Sequence, residues 1–182
     1  MKLFLSHLDS PLGAILLVTD ANNTVRALDF VDHQSRLQRV LRLHYGEVAL
    51  TEKQAPAEIA DALARYFQGE WETLSSLRTA TAGSELQRGV WAALRRIPAG
   101  QTTTYGKIAK DLGFDDPRAA IQVGAANGSN PIAIIVPCHR VIASNGDLKG
   151  YAWGLHRKRW LLGHEKAIAQ QEEPQTAMLL GL

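Results

Sequence analysis

Cys138 is the chain's one cysteine, and it stands in the run Ile134-Ile135-Val136-Pro137-Cys138-His139-Arg140-Val141-Ile142, between two apolar stretches, with a proline before it and a basic pair after it. A cysteine does chemistry as a thiolate, and an adjoining His or Arg, or a helix start that aims backbone N–H groups at the sulfur, lowers its pKa. The local sequence offers all three. Val136-Pro137 dictates an extended approach to a turn, because proline disfavours helix for the residue before it and suits the first position of a helical turn. The spacing predicts a sulfur at a strand end. Taken alone, a cysteine between Val and Ile runs is more often a small buried hydrophobe than a nucleophile, and these nine residues leave both readings open.

Further segments flank this run. Asn130-Pro131, Gly150-Tyr151 and Trp160-Leu161-Leu162-Gly163-His164-Glu165 lie around it, and Gln87-Arg88-Gly89-Val90-Trp91, Ile97-Pro98-Ala99-Gly100 and Thr104-Tyr105-Gly106 lie upstream. In order and spacing they resemble the O6-alkylguanine-DNA alkyltransferases, also called methylated-DNA–protein-cysteine methyltransferases. The resemblance runs from about Gly83 to Glu165, and before it only Ser10-Pro11-Leu12-Gly13 fits. It implies an α+β fold: a small N-terminal α/β domain of ribonuclease-H-like type, then a mostly helical C-terminal domain with a helix-turn-helix. It also implies DNA repair by direct damage reversal. The alkyl group on O6 of guanine in double-stranded DNA, with O4-alkylthymine as a further candidate, passes to Cys138. A thioether is not hydrolysed back, so each molecule acts once, as a monomer and with no cofactor.

The same resemblance assigns roles. The target base lies out of the sulfur's reach inside a duplex and must be flipped out. His139 is the base, acting on Cys138 through a water because adjacent residues in a helical turn do not face each other. Glu165 holds the far side of the imidazole, the third-group logic of activated nucleophiles. Tyr105 presses on the target's phosphate and gives a proton to the leaving guanine, while Asn130 braces the active-site turn. Tyr151 walls the guanine pocket, backbone groups of Leu148 and Ala152 read the guanine edge, and Lys158 is a family position. Arg140 shapes the turn. Arg118, Ala119, Ala120, Ile121, Gln122, Gly124 and Ala125 form the DNA-facing helix. There are two departures. Ile121 stands where the family has an arginine finger, with two extra residues before Pro117, although isoleucine is itself a wedge type in minor-groove binding. Trp153 stands where many relatives have glycine, and is expected to narrow the alkyl pocket, the alternative being an indole that packs on the protein core and leaves the pocket unaffected. Some relatives hold zinc through N-terminal cysteine and histidine; this chain has no cysteine there, so no metal is expected.

The remaining sequence must supply the elements that hold these residues. At 182 residues and 46% hydrophobic the chain can bury a real core, and one cysteine rules out an internal disulfide and any Cys-rich zinc cage. That usage, the short apolar run at Met1–His7 and the lack of a membrane-length stretch predict a cytoplasmic protein with no membrane partner. Residues 1–83 carry 8 basic and 10 acidic groups, and residues 84–168 carry 12 and 6. A basic second half suits a polyanion partner. Leu12–Thr19 and Thr24–Val31 read as a hairpin about Asp20-Ala21-Asn22-Asn23. Two amphipathic helices follow, one with Leu37, Val40, Leu41 and His44 on a face and stopped by Gly46, the other with Ile59, Leu63, Tyr66 and Phe67 and stopped by Gly69. Periodicity then fails from Trp71 to Ala82, which places the linker there. The expected domains are 1–82, 83–168 and a tail, 169–182. Ser84 with Gln87 is a capping-box signature for a helix along Leu86, Val90, Leu94 and Ile97. A helix from about Thr104 to Leu112 and one opened by Asp116-Pro117 would form the helix-turn-helix. Two rival functions use the same residues: a helix-turn-helix damage sensor or transcription regulator that transfers nothing, and a cysteine hydrolase.

Overall fold

The computed structural model describes residues 1–169; residues 170–182 of the expected tail lie outside the described part. Three strands, β1 (Leu3–Leu8), β2 (Ile15–Asp20) and β3 (Val25–Phe30), run antiparallel, and β4 (Leu50–Glu52) lies parallel to β1, giving the order β3-β2-β1-β4. The expected hairpin is β2–β3, and Asp20 closes its turn by accepting the N–H groups of Asn22 and Thr24. β2 is buried along its whole length because its alternation feeds two cores. Ile15 and Leu17 face the large core shared with the C-terminal half, and Leu16 and Val18 face a smaller one under Leu37 and Leu41. β1 escaped the sequence reading. Its burial does not alternate cleanly, since Ser6 is buried while Leu5 is only half-buried, so no strand template fits it.

The two amphipathic helices are α1 (Gln34–Tyr45) and α2 (Ala57–Phe67), which bury Leu37 and Leu41, and Ile59, Leu63 and Tyr66. The stretch Trp71–Ala82 is a packed strap. It forms a 3-10 turn at Trp71–Ser76, then pairs with the free edge of β3, where Val25 donates to Arg78 and Ala80 donates to Val25. The edge of β3 is covered a second time, by the Asn130-Pro131 segment: Leu28 donates to Pro131 O, and Ala133 donates to Leu28 O, each at 3.0 Å. The active-site segment is therefore stitched to the N-terminal sheet.

The C-terminal half contains α3 (Glu85–Leu94), α4 (Tyr105–Asp111), α5 (Ala119–Gly128) and α6 (Leu155–His164), with β5 (Thr103–Thr104) paired parallel to β6 (Val141–Ile142). The capping box at Ser84 and Gln87 forms as expected. Helices α4 and α5 pack as the helix-turn-helix. Asp116 differs from expectation: it accepts the N–H of Arg118, two residues on, so Pro117 belongs to the turn and the helix begins at Ala119. The run before Cys138 also departs from the expected strand. Ile132 to Val136 folds as successive tight turns, with Ile134 at φ 68. Asn130 enforces this, because its side chain accepts the N–H of Ile132 and donates to Val136 O, replacing the partners a strand would need. A β-branched residue in that region costs about 1–3 kcal/mol and persists only where its surroundings over-determine it. Among the described residues no helix is long and apolar enough to cross a membrane.

Candidate active site

Cys138 opens a 3-10 turn, Cys138–Arg140, with 2% of its surface exposed. It lies on the floor of a cleft of about 240 Å³ lined by Tyr105, Gly124, Asn127, Gly128, Gly150, Tyr151 and Ala152. Three elements build that cleft: the start of α4, the last turns of α5, and the loop before α6. Gly124 lies where α5 meets α4, and a side-chain carbon there would make ordinary van der Waals contact with the ring of Tyr105, at 3.7 Å.

The thiol does not start out activated. Burial pushes its pKa up, to about 11, against the hydrogen bond from Asn130 and the positive charges of Lys158 and Arg36. This corrects the expectation of a lowered value. The turn at Cys138 is three residues long, and Arg140 points away from the sulfur to another partner. A base must take the proton at the moment of reaction.

His139 is fully buried and turned toward Glu165, also fully buried, with Nε2 2.8 Å from Oε1. Arg140 grips the same carboxylate with Nε to Oε2 at 2.9 Å and Nη2 to Oε1 at 2.8 Å, and its Nη1 donates to Ile97 O. The Ile97–Gly100 turn is packed on this corner: Gly100, at φ 85, leaves only 3.2 Å between a would-be side-chain carbon and Glu165 O. Burial works against the Glu165 charge, but His139 and Arg140 hold its carboxyl well below the usual range. Burial lowers His139, with Glu165 pulling the other way, so the imidazole rests neutral. An ionised carboxylate only accepts, so Nε2 carries the proton and Nδ1 the lone pair. Nδ1 is buried and finds no protein partner among the described residues. That is the electronic state of a poised base.

Lys158 is buried too, and burial lowers it to about 8. Its ammonium donates to the carbonyls of Val141, Leu148 and Gly150, and so ties β6 to the loop over the cleft. Leu148 thus offers a carbonyl that Lys158 already holds.

Of the expected pocket residues, Tyr105, Tyr151 and Ala152 line the cleft, and Trp153 does not. Trp153 is fully buried against the N-terminal sheet, where Nε1 donates to Asp29 Oδ1 at 2.6 Å and Arg36 lies over its ring at 4.5 Å. An indole with an N–H partner at its far end is an anchor, and the expected gate is withdrawn. Of the DNA-facing set, Arg118, Ile121, Gln122 and Ala125 are exposed and Ala120 and Gly124 half-exposed, but Ala119 turns into the core and presents no surface. Ile121 is 75% exposed, a large apolar side chain held out toward solvent. Arg118 is paired with Asp116, Nη2 to Oδ2 at 3.0 Å.

Several functional contacts carried no signal in the sequence. Tyr66 looked like a core aromatic, yet its hydroxyl reaches Glu165. Arg36 sits on a polar face of α1, yet donates to the carbonyls of Gly128 and Asn130. Asn127 lines the cleft with a buried Oδ1 that has no partner among the described residues. The contacts of Tyr66 and Arg36 depend on pairing across long sequence distances.

Two family models match the chain: 6-O-methylguanine DNA methyltransferase, DNA binding domain, over residues 85–167, and 6-O-methylguanine DNA methyltransferase, ribonuclease-like domain, over residues 3–81. A methylated-DNA–protein-cysteine methyltransferase of Salmonella typhimurium is 45% identical over 91% of this chain and 96% of its own length. One from Methanosarcina acetivorans is 41% identical over 85% and 92%. Among solved structures, Mycobacterium tuberculosis OGT in complex with DNA superposes with a TM-score of 0.75 at 37% identity, covering 90% of this chain and 93% of that one.

Proposed function

The chain belongs to the 6-O-methylguanine DNA methyltransferase family, and from that premise we propose that Cys138 is the residue that takes the alkyl group, with His139 and Glu165 as its proton relay. The protein repairs DNA by alkyl transfer, as a methylated-DNA–protein-cysteine methyltransferase, and DNA is its partner. One observation carries the residue assignment: the only cysteine lies on the floor of a cleft of base-sized dimensions, and directly behind it stands a neutral imidazole with its lone pair unclaimed.

The chemistry follows from that arrangement. His139 Nδ1 takes the thiol proton, through a bridging water, and the imidazolium so formed is stabilised by Glu165. The sulfur attacks the alkyl carbon of O6-alkylguanine; the S–C bond forms as the C–O6 bond breaks. Guanine leaves and takes up a proton, for which Tyr105, on the cleft wall, is the donor. Tyr151 and Ala152 flank the flipped base, and Asn130 and Lys158 hold the turn and the loop in place. Both reacting atoms come from DNA and Cys138, so the reaction needs no cofactor.

Ile121, on the exposed face of α5, acts as an apolar wedge in the space the base vacates, and the exposed basic groups of the second half contact phosphates. The domains divide at 1–82 and 83–168. The protein works as a cytoplasmic monomer, in keeping with a free thiol that must stay reduced. A sensor without transfer chemistry has no use for a thiol under the cleft.

Intact-mass measurement after incubation with duplex DNA containing O6-methylguanine tests this reading. The expected result is one methylene gained per molecule, mapped to Cys138, with no second turnover. Gain at any other residue overturns it.

A further inference from the structure

The N-terminal half touches the carboxylate behind the reacting centre through a hydroxyl. Tyr66, fully buried near the end of α2, places its Oη 2.6 Å from Glu165 Oε1. That oxygen also faces His139 Nε2 and Arg140 Nη2, each at 2.8 Å, while Oε2 receives Arg140 Nε. An ionised carboxylate has about four lone-pair sites and no proton to give. Three donors converge on Oε1 and one on Oε2, and against an acceptor with no proton Tyr66 must be the donor.

We propose that Tyr66 is a positioning residue for alkyl transfer, which sets, through Glu165, how tightly the His139 imidazole holds a proton. The proposal rests on the reading of Cys138, His139 and Glu165 as the transfer machinery. Arg140 is a full charge shared between both oxygens, whereas Tyr66 is a neutral donor on the one oxygen that faces the imidazole. Without that hydroxyl, more of the negative charge on Oε1 is left for His139. Its proton affinity then rises.

The other charged and titratable groups around the pair stay in place when Tyr66 changes. Glu165, Arg140 and Lys158 act on the imidazole, and Lys158, Arg36 and Asn130 act on the sulfur, with Tyr105 and Tyr151 close to it. The hydroxyl's position is itself over-determined. His164 Nε2 lies 2.8 Å from Tyr66 O, and the Tyr66 ring packs edge-on against Phe67 and His164 at 5.2 and 5.4 Å. His164 is in turn stacked on Trp160 at 4.7 Å. The Trp160 to Glu165 segment therefore supplies both the carboxylate and the cage for the tyrosine that tempers it. The function of the tempering is timing: an imidazole with an unshared carboxylate would be protonated earlier as pH falls and would be lost as a base.

The test is Tyr66→Phe, which keeps the ring and its packing. Single-turnover alkyl transfer from O6-methylguanine duplex DNA is followed across pH. A hydrogen bond to a charged group corresponds to about one pKa unit, so the acid limb should move up by about one unit, with rates ~10-fold below the unsubstituted protein on the acid side and converging on the alkaline side. A profile that superimposes, or moves down, overturns the proposal. Loss of folded protein would lower the fraction alkylated by excess DNA, whereas the proposal concerns the rate constant of the active fraction. A second readout is the His139 titration followed by NMR without DNA, where the variant must show the higher pKa and an unchanged value overturns the idea. Transfer that survives Cys138→Ser would instead remove the underlying assignment, a failure separate from that of Tyr66.

Discussion

The two sides of the His139 imidazole are built on opposite rules. Behind it, every polar atom is paired: Glu165 takes donors from His139, Arg140 and Tyr66, and Arg140 Nη1 donates to Ile97 O. Toward the cleft, Tyr151 Oη and Asn127 Oδ1 are buried and, like His139 Nδ1, have no protein partner among the described residues. Buried polar groups are paired in the great majority of cases, so three orphans around one sulfur mark the place where partners arrive from outside. The paired side is rigid because unpairing any member leaves a buried charge. The open side spends stability on readiness.

The largest effect should come from the atom that reacts. Cys138→Ser should abolish alkyl transfer, measured by intact mass, while DNA affinity measured by anisotropy is unchanged, because the exposed groups of α5 lie elsewhere. Next is the paired side. Glu165→Gln leaves Arg140 buried without its counter-charge, which costs about 3–5 kcal/mol of stability, read as a lowered Tm. It also removes the hold on the imidazolium, and the transfer rate should fall roughly 10²–10⁴-fold near neutral pH. That loss should shrink as pH rises toward about 11, where the thiol ionises without help.

Removal of a hydroxyl from each side sharpens the contrast. Tyr151→Phe deletes an unpaired group, so Tm should hold or rise while transfer slows by roughly 5- to 10-fold, the loss of one hydrogen bond to the base. A falling Tm with an unchanged rate would mean that the open side is open by accident. Trp153→Phe probes the anchor. It leaves Asp29 short of a donor and should lower stability by about 1–3 kcal/mol. Because Trp153 lies outside the cleft, the ratio of benzyl to methyl transfer rates should stay the same, and a changed ratio would restore the gate.

The smallest effect is a pH dependence of stability in alkaline solution. Burial takes Lys158 from its ordinary 10.5 to about 8, so across that window the unfolded chain binds more protons than the folded one and stability rises with pH. Burial takes Cys138 from 9.0 to about 11, so there the unfolded chain loses its proton first and stability falls with pH. The two oppose each other above 9.0, and the rise should be confined to the range from about 8 to 9.0. In Cys138→Ser the rise should continue to 10.5, which melting curves across pH would show.

What the sequence determined by itself is local or motif-borne. The capping box at Ser84, the stops at Gly46 and Gly69 and the amphipathic faces of α1 and α2 follow from rules that act within a few residues. The segments from Asn130 to Glu165 identified the family through their order and spacing, and made Cys138, His139 and Glu165 the candidate site residues. The tertiary structure alone decided what those residues touch. Asn130 turned an apolar run away from strand geometry, and burial raised a thiol whose sequence neighbours promised the reverse. Trp153 went to Asp29 and not to the cleft, and Tyr66, from a helix read only as core, took a place on Glu165. Local rules settle which element a residue joins. Desolvation and the pairing of buried polar atoms are set by the whole packed chain, and the chemistry of this site depends on them.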